Sequence, residues 1–287
     1  MVCLTIQWFP GHMAKARREI SEKLNVIDVV IELLDARLPL SSQNPMIQDI
    51  IKEKPKIVLL NKADIADQSV TNRWVSYFAA QDITAIPVNS QTGDGLQRVP
   101  KEAMKTVEQK AQKLLDKGFN PRAVRAIIIG IPNVGKSTLI NKLANKTIAK
   151  TSDKPGVTKK QQWIKVGTEM ELLDTPGILW PKFEDEAIGY RLAISGAIKE
   201  EVFDFETAGY YLAQFLSENY KDLVKDRYNL KEVPEAPMEV LEEIGRKRGC
   251  LRSGGIVDTS LAGEILLRDY RSQKLGHISL EFPPNPQ

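Results

Sequence analysis

The segment Gly130-Ile131-Pro132-Asn133-Val134-Gly135-Lys136-Ser137 constrains the fold more than any other part of the chain. It has the spacing G-x-x-x-x-G-K-[ST], and it lies between an apolar run, Ala123 to Ile129, that reads as a buried strand and a stretch that reads as a helix. A strand, loop and helix of this kind make a phosphate cradle. Backbone N–H groups of Asn133, Val134, Gly135 and Lys136 can converge on an anion at the helix N-terminus, and Thr138 continues the first helical turn. The Lys136 ammonium adds a point charge for the β- and γ-phosphate oxygens, and the Ser137 hydroxyl is a ligand type for Mg²⁺.

Further apolar runs surround this motif. Val26 to Leu34 is nearly continuous and rich in Val and Ile, as a strand covered on both faces is. Lys56 to Leu60, Thr84 to Val88 and Glu169 to Leu173 follow the same pattern, and each ends in polar residues. Residues 13–25 and 96–117 read as helices between them. Strands alternating with helices predict an α/β fold with a parallel sheet, whose ligands sit at the carboxyl ends of the strands. Beyond Trp180 the strand signals stop, and residues 185–199, 206–219, 235–248 and about 260–273 read as helices, with the Pro234/Pro237 pair as a helix entry. The expected organisation is therefore an α/β domain over residues 1–180 and a small all-helical domain over 181–287.

Composition narrows the classes of function. With 42% apolar and 27% charged residues the 287-residue chain has the make-up of a folded globular protein. No apolar run approaches the roughly 18 residues that span a bilayer, so a cytoplasmic protein without membrane partners is expected. Cys3 and Cys250 cannot build a disulfide framework. Charge is divided unevenly: residues 1–180 carry 26 Lys and Arg against 18 Asp and Glu, and residues 181–287 carry 14 against 19, giving +8 and −5 and the overall +3.

The base that accompanies the phosphates is indicated by Asn61-Lys62-Ala63-Asp64, directly after the strand 56–60. In an N-K-x-D arrangement the Asp64 carboxylate can accept two hydrogen bonds from N1–H and the exocyclic amine of guanine, while the Asn61 amide serves O6 and N7 and the Lys62 stem covers the base face. Adenine offers no such pair of donors and would leave Asp64 unpaired. Asn89-Ser90, after the strand 84–88, fits a last loop whose backbone approaches the base. Asp174-Thr175-Pro176-Gly177 matches D-x-x-G, in which Asp174 holds Mg²⁺ through water and the Gly177 N–H meets the γ-phosphate. Thr158 is the expected switch threonine that closes over Mg²⁺.

Together these motifs resemble those of the GTPase superfamily, in a different order. The guanine motif stands at 61, the last loop at 89, the phosphate loop at 130 and D-x-x-G at 174, which is the order of a circular permutation. Neighbours in a sheet are set by packing and not by chain order, so the same P-loop fold can form. The segment after Gly177 then runs on into the helical part, an arrangement able to couple nucleotide state to that part.

With Trp8-Phe9-Pro10-Gly11-His12-Met13 at the start, and Asp35-Ala36-Arg37-Leu38-Pro39 followed by Ser41-Ser42-Gln43-Asn44-Pro45, the chain resembles the ribosome biogenesis GTPase A family over nearly its whole length. The resemblance implies a GTP-hydrolysing assembly factor, slow alone and stimulated by its ribosomal partner, that binds the immature large (50S) ribosomal subunit through rRNA, promotes a late maturation step and leaves after hydrolysis; a monomer is expected. Ile178 stands where Ras-like enzymes have the glutamine that orients water, and the resemblance makes His12 the candidate for that task, with its neutral imidazole as positioner or base. By the same resemblance Asn133 is a candidate ligand for K⁺. Three basic stretches are candidates for RNA: Lys15, Arg17 and Arg18; Lys146 to Lys165, with six Lys against one Asp; and Arg246, Lys247, Arg248 and Arg252 beside Gly254-Gly255. A competing expectation, favoured by Ile178, is an RNA- or protein-binding scaffold that holds GTP and turns it over negligibly.

Overall fold

The computed structural model describes residues 18–51, 54–116, 122–145, 162–175, 177, 179–180, 183 and 185–284. His12, Lys15, Arg17, Thr158, Pro176, Ile178 and most of the 146–165 stretch, to which the sequence gives roles, lie outside the described residues. The chain divides into two compact units, one containing Phe183–Leu280 and the other the remaining described residues together with Glu281 to Pro284.

The first unit is built on a six-stranded sheet. Its strands are β1 (Val29–Asp35), β2 (Lys56–Asn61), β3 (Thr84–Val88), β4 (Val124–Ile129), β5 (Gln162–Val166) and β6 (Met170–Asp174), in the spatial order β3-β2-β1-β4-β6-β5. All neighbours are parallel except β5, which pairs antiparallel with β6. From β4 the chain crosses to the edge strand β5 and returns inward to β6 beside β4, and from β1 it steps outward the other way through β2 and β3. The crevice at the carboxyl ends of β1 and β4 is therefore a topological switch point, where open α/β sheets bind ligands. Every residue of β1 is buried, and β2 is buried from Ile57 to Asn61, which accounts for their unbroken apolar runs. In β5 only Ile164 and Val166 are buried. That strand was not expected from sequence, because an edge strand with one solvated face alternates and is short.

Helices α1 (Pro45–Ile51), α2 (Gln68–Ala79), α3 (Arg98–Leu115) and α4 (Lys136–Ala144) belong to this unit, and residues 18–24, which begin with Arg18, are helical as well. The Asp67 side chain caps α2 by accepting from the N–H groups of Ser69 and Val70. On the buried face of α2, Trp74 and Phe78 pack with Leu34, Val58 and Leu60 of β1 and β2. The sequence boundary placed residues 281–287 with the helical part, whereas Glu281 and Phe282 pack on the sheet unit. The Trp74 Nε1–H donates to the Glu281 carbonyl at 3.2 Å, the Glu281 carboxylate accepts from Leu40 N–H at 2.8 Å and from Ser41 N–H, and the Arg73 guanidinium lies over the Phe282 ring.

The second unit contains α5 (Glu186–Ser195), α6 (Phe205–Asn219), α7 (Lys221–Tyr228), α8 (Pro237–Arg248) and α9 (Thr259–Arg271). Helices α6 and α9 touch backbone to backbone at two glycines: a Cβ on Gly209 would lie 2.5 Å from the Gly263 Cα, and one on Gly263 would lie 2.3 Å from the Phe205 carbonyl oxygen. Helix α7 is held by Asp269 of α9, which accepts from Arg227 at 2.8 Å and from the Tyr228 hydroxyl at 3.1 Å. Its eight residues bury only Val224 and Tyr228, too sparse a pattern to be visible in the sequence.

Candidate nucleotide site

The loop after β4 takes its shape from backbone that only certain residues adopt. Asn133 has φ 58° and Gly135 φ 103°, and a Cβ on Gly135 would fall 2.4 Å from the Asn61 Nδ2. Helix α4 then starts at Lys136, with Ser137 and Thr138 in its first turn and its N-terminal N–H groups without side-chain caps. Lys136 turns back into the loop and donates to the carbonyls of Gly130 at 2.9 Å and Ile131 at 2.7 Å. Burial lowers its pKa to about 8, partly offset by the charge of Asp174.

Asp174 ends β6 beside this loop. Burial raises its pKa to about 6, against the attraction of Lys136, and its Oδ1 is buried without a hydrogen-bond partner among the described residues. A buried carboxylate oxygen with an unused lone pair beside the Lys136 loop is a donor type that fits a hydrated Mg²⁺. The Thr175 hydroxyl donates to the Ile128 carbonyl at 2.6 Å and ties the two strand ends together. At Gly177 a Cβ would meet the Lys136 Nζ at 2.9 Å and Pro132 at 3.0 Å, so any larger residue would push the lysine out of the loop.

Asn61 joins three segments that are far apart in sequence. Its Nδ2 donates to the Val134 carbonyl at 2.7 Å, and its Oδ1 accepts from the Ser90 N–H at 3.0 Å and the Ser90 hydroxyl at 2.7 Å. The expectation that the Asn61 amide serves both O6 and N7 is thus narrowed: both are acceptors, one of the two amide N–H donors is given to Val134, and one remains for a base. Asn89 shapes its own loop by accepting from the N–H groups of Gln91 and Thr92. The Ala63 N–H donates to the Val88 carbonyl at 3.2 Å and fixes the guanine motif against β3. Asp64 is exposed, with no hydrogen bond to another described residue. Lys62 has φ 62° and donates to Asp35 at 2.9 Å. Asp35 and Arg37 belong to this site, though the sequence marked them only as part of a family resemblance. The signal that finds them is position, since a polar pair at the end of a buried parallel strand lies where a ligand binds.

The cations proposed for RNA are differently placed. Arg246 is paired with Glu242 and Glu243, Arg252 is paired with Asp258, and Arg248 lies over the Tyr228 ring 3.8 Å from Asp269. Lys247 is exposed and Arg18 sits 3.5 Å from Glu22. No helix among the described residues is long and apolar enough to cross a membrane.

A glycine cradle holding a lysine, a buried aspartate at the neighbouring strand end, and an N-K-x-D loop braced against both define a P-loop GTPase of permuted chain order. The family described as 50S ribosome-binding GTPase matches residues 125–232. Over 280 residues the chain is 55% identical to ribosome biogenesis GTPase A of Bacillus cereus, covering 98% of this chain and 95% of that one. A GDP-bound YlqF structure superposes with a TM-score of 0.64 at 27% identity, covering 93% of this chain and 99% of the other. A GNP-bound YlqF from T. maritima gives a TM-score of 0.62 at 27% identity over 95% of this chain and 100% of that one. The chain belongs to the ribosome biogenesis GTPase A family and is a GTP hydrolase.

Burial of Lys136 should make nucleotide affinity fall with rising pH. Phosphate oxygens favour the ammonium, so the bound state holds a proton that the free state loses as pH passes about 8. Between pH 7 and pH 8.5 the protonated fraction of the free protein drops, and affinity for GDP should fall about fourfold. Lys136→Arg, whose charge does not titrate, should flatten this dependence; an equally steep wild-type and variant profile in a titration calorimeter would assign it to another group.

Proposed function

We propose that this GTPase binds the immature large ribosomal subunit through rRNA in its GTP state, promotes a late maturation step and leaves after hydrolysis. The observation that carries the nucleotide half is the Asn61 network, because one side chain sets the phosphate loop and both base loops in a single geometry. In this reading Asp64 and the remaining Asn61 N–H read guanine, Lys62 covers its face, and Ala63, Asn89 and Ser90 shape the pocket. Backbone N–H groups from Asn133 to Thr138 and Gly177 take the phosphates. Mg²⁺ supplies positive charge to the β- and γ-phosphates, and Ser137, Thr158 and, through water, Asp174 are the residues to hold it. Asn133 is the candidate ligand for K⁺, and His12 the candidate to position the attacking water.

Lys136 is the switchable element of the chemistry. Its ammonium donates to two carbonyl oxygens of the loop, so moving it to the phosphates exchanges neutral acceptors for anionic ones. For RNA, the exposed Lys247 and the Arg18 helix favour contact on limited faces, while the ion pairs of Arg246 and Arg252 must open or stay as positioning groups. Curated relatives carry the name ribosome biogenesis GTPase A, which supports the ribosomal partner.

The test is GTP hydrolysis by the purified protein with and without large ribosomal subunits, in potassium and in sodium, for wild type and His12→Ala. Stimulation by subunits of at least tenfold, lost in His12→Ala, is the expected result. No stimulation at any salt concentration would replace this reading with that of a scaffold of negligible turnover.

A further inference from the structure

Asp35 lies at the last position of β1, in register with Asn61 of β2, and the Ala36 N–H donates to the Asn61 carbonyl at 2.8 Å. This pairing brings its carboxylate beside the residue that follows Asn61. Both oxygens are already matched by Arg37, whose Nε–H donates to Oδ1 at 2.9 Å and whose Nη2–H donates to Oδ2 at 2.8 Å. The Arg37 backbone N–H adds a third bond at 3.1 Å. For the fold alone this buried pair is complete: Asp35 and Arg37 are each 3% exposed, and the fork of the guanidinium neutralises the carboxylate. A second cation is nevertheless brought to the same oxygen, the Lys62 ammonium at 2.9 Å from Oδ2.

We propose that Asp35 is a positioning residue for the nucleotide base: by anchoring the Lys62 ammonium it stretches the lysine stem into a fixed platform for the guanine face. The inference rests on the assignment of Asn61 to Asp64 as the base site. Two features of the structure support it. Lys62 is held at both ends, its backbone bent into the left-handed region at φ 62° and its ammonium bound to Asp35. A free lysine loses much rotamer freedom when it is ordered by a ligand, and a lysine ordered beforehand does not. The loop behind Asp35 is itself fixed. The Asp35 N–H donates to the Ser42 hydroxyl at 3.1 Å, that hydroxyl donates to the Leu38 carbonyl at 2.9 Å, and the Glu281 carboxylate holds the N–H groups of Leu40 and Ser41. The anchor is thus a rigid one. Burial opposes the Asp35 charge, but Arg37 and Lys62 together keep the carboxyl well below the usual range, so the anchor stays ionised at any working pH.

The experiment is a double-mutant cycle on GDP affinity by titration calorimetry, with wild type, Asp35→Asn, Lys62→Met and the double variant. Asp35→Asn should weaken GDP binding about tenfold, the loss of one charge-assisted anchor. Lys62→Met should weaken it at least as much, and adding Asp35→Asn to Lys62→Met should then cost nothing more on the affinity. The same factor lost in both backgrounds would make Asp35 a fold residue and overturn the proposal, as would wild-type affinity in Asp35→Asn. If Asp35→Asn does not fold, Asp35→Glu, which keeps the charge for Arg37 but displaces the carboxylate by a methylene, is put through the same cycle with the same criteria. Wild-type affinity in Lys62→Met would instead remove the base-site assignment itself, and the proposal with it.

Discussion

Asp64→Asn should turn the preference of this protein from guanine to xanthine nucleotides. Asp64 is exposed and hydrogen-bonded to no other described residue, so its substitution breaks no hydrogen bond of the fold and removes only a charge that acts on Lys62. In the proposed site its carboxylate accepts from both N1–H and the exocyclic amine, two charge-assisted bonds worth about 1.5–3 kcal/mol each, so their loss should weaken GTP by a factor of about 10² or more. An asparagine offers an N–H to the extra oxygen of xanthine and recovers affinity there. Direct titration calorimetry of GTP, XTP and ATP on wild type and variant reads the change. Unchanged GTP preference would take Asp64 out of the base site, and equal weakening of all three nucleotides would mean that the loop, and not the base contact, had been damaged.

How far this site could be read from sequence follows from where its information lies. The phosphate loop, N-K-x-D and D-x-x-G are local patterns, since each needs its residue types at fixed spacing within one turn, and the structure puts them at the carboxyl ends of β4, β2 and β6. The central strands were legible for a related reason: burial on both faces demands continuous apolar residues, as from Val29 to Leu34 and from Ile57 to Leu60. What was not legible depends on pairings across the chain. The binding of Asn61 to Val134 and Ser90 spans separations of 73 and 29 residues, and nothing in N-K-x-D says that its first residue is a brace as well as a base contact. Asp35 and Arg37 look like a turn after a strand until register sets them beside Lys62. Glu281 comes 240 residues after Ser41, in a tail that composition alone assigns to the helical part. Strand β5 and helix α7 failed for a simpler reason, since each buries two residues and so writes almost no period into the sequence.

The buried charge of Asp174 leads to the other large effect, in which stability and activity move in opposite directions. Burial pushes the Asp174 carboxyl up to about 6 from the ordinary 3.8, against the attraction of Lys136, so without nucleotide the ionised carboxylate opposes folding. The sign follows from proton counting: between those two values the folded state holds the proton more tightly, so its contribution to stability grows as pH falls through 6 and is lost again above it. Asp174→Asn keeps the shape and removes the charge, at the cost of the attraction between Asp174 and Lys136. Melting of the nucleotide-free variant at pH 7 should rise by about 1 kcal/mol, or roughly 3 °C. Hydrolysis at saturating GTP and Mg²⁺ should fall about 10²-fold or more, because the neutral amide no longer holds the hydrated ion in place. On acidification from pH 7 to pH 5 the wild type should gain about 1 kcal/mol relative to the variant. A variant that melts below wild type at pH 7 would show that the attraction to Lys136 outweighs the burial of the charge, and that Asp174 is kept in this position by the fold as well as by the metal.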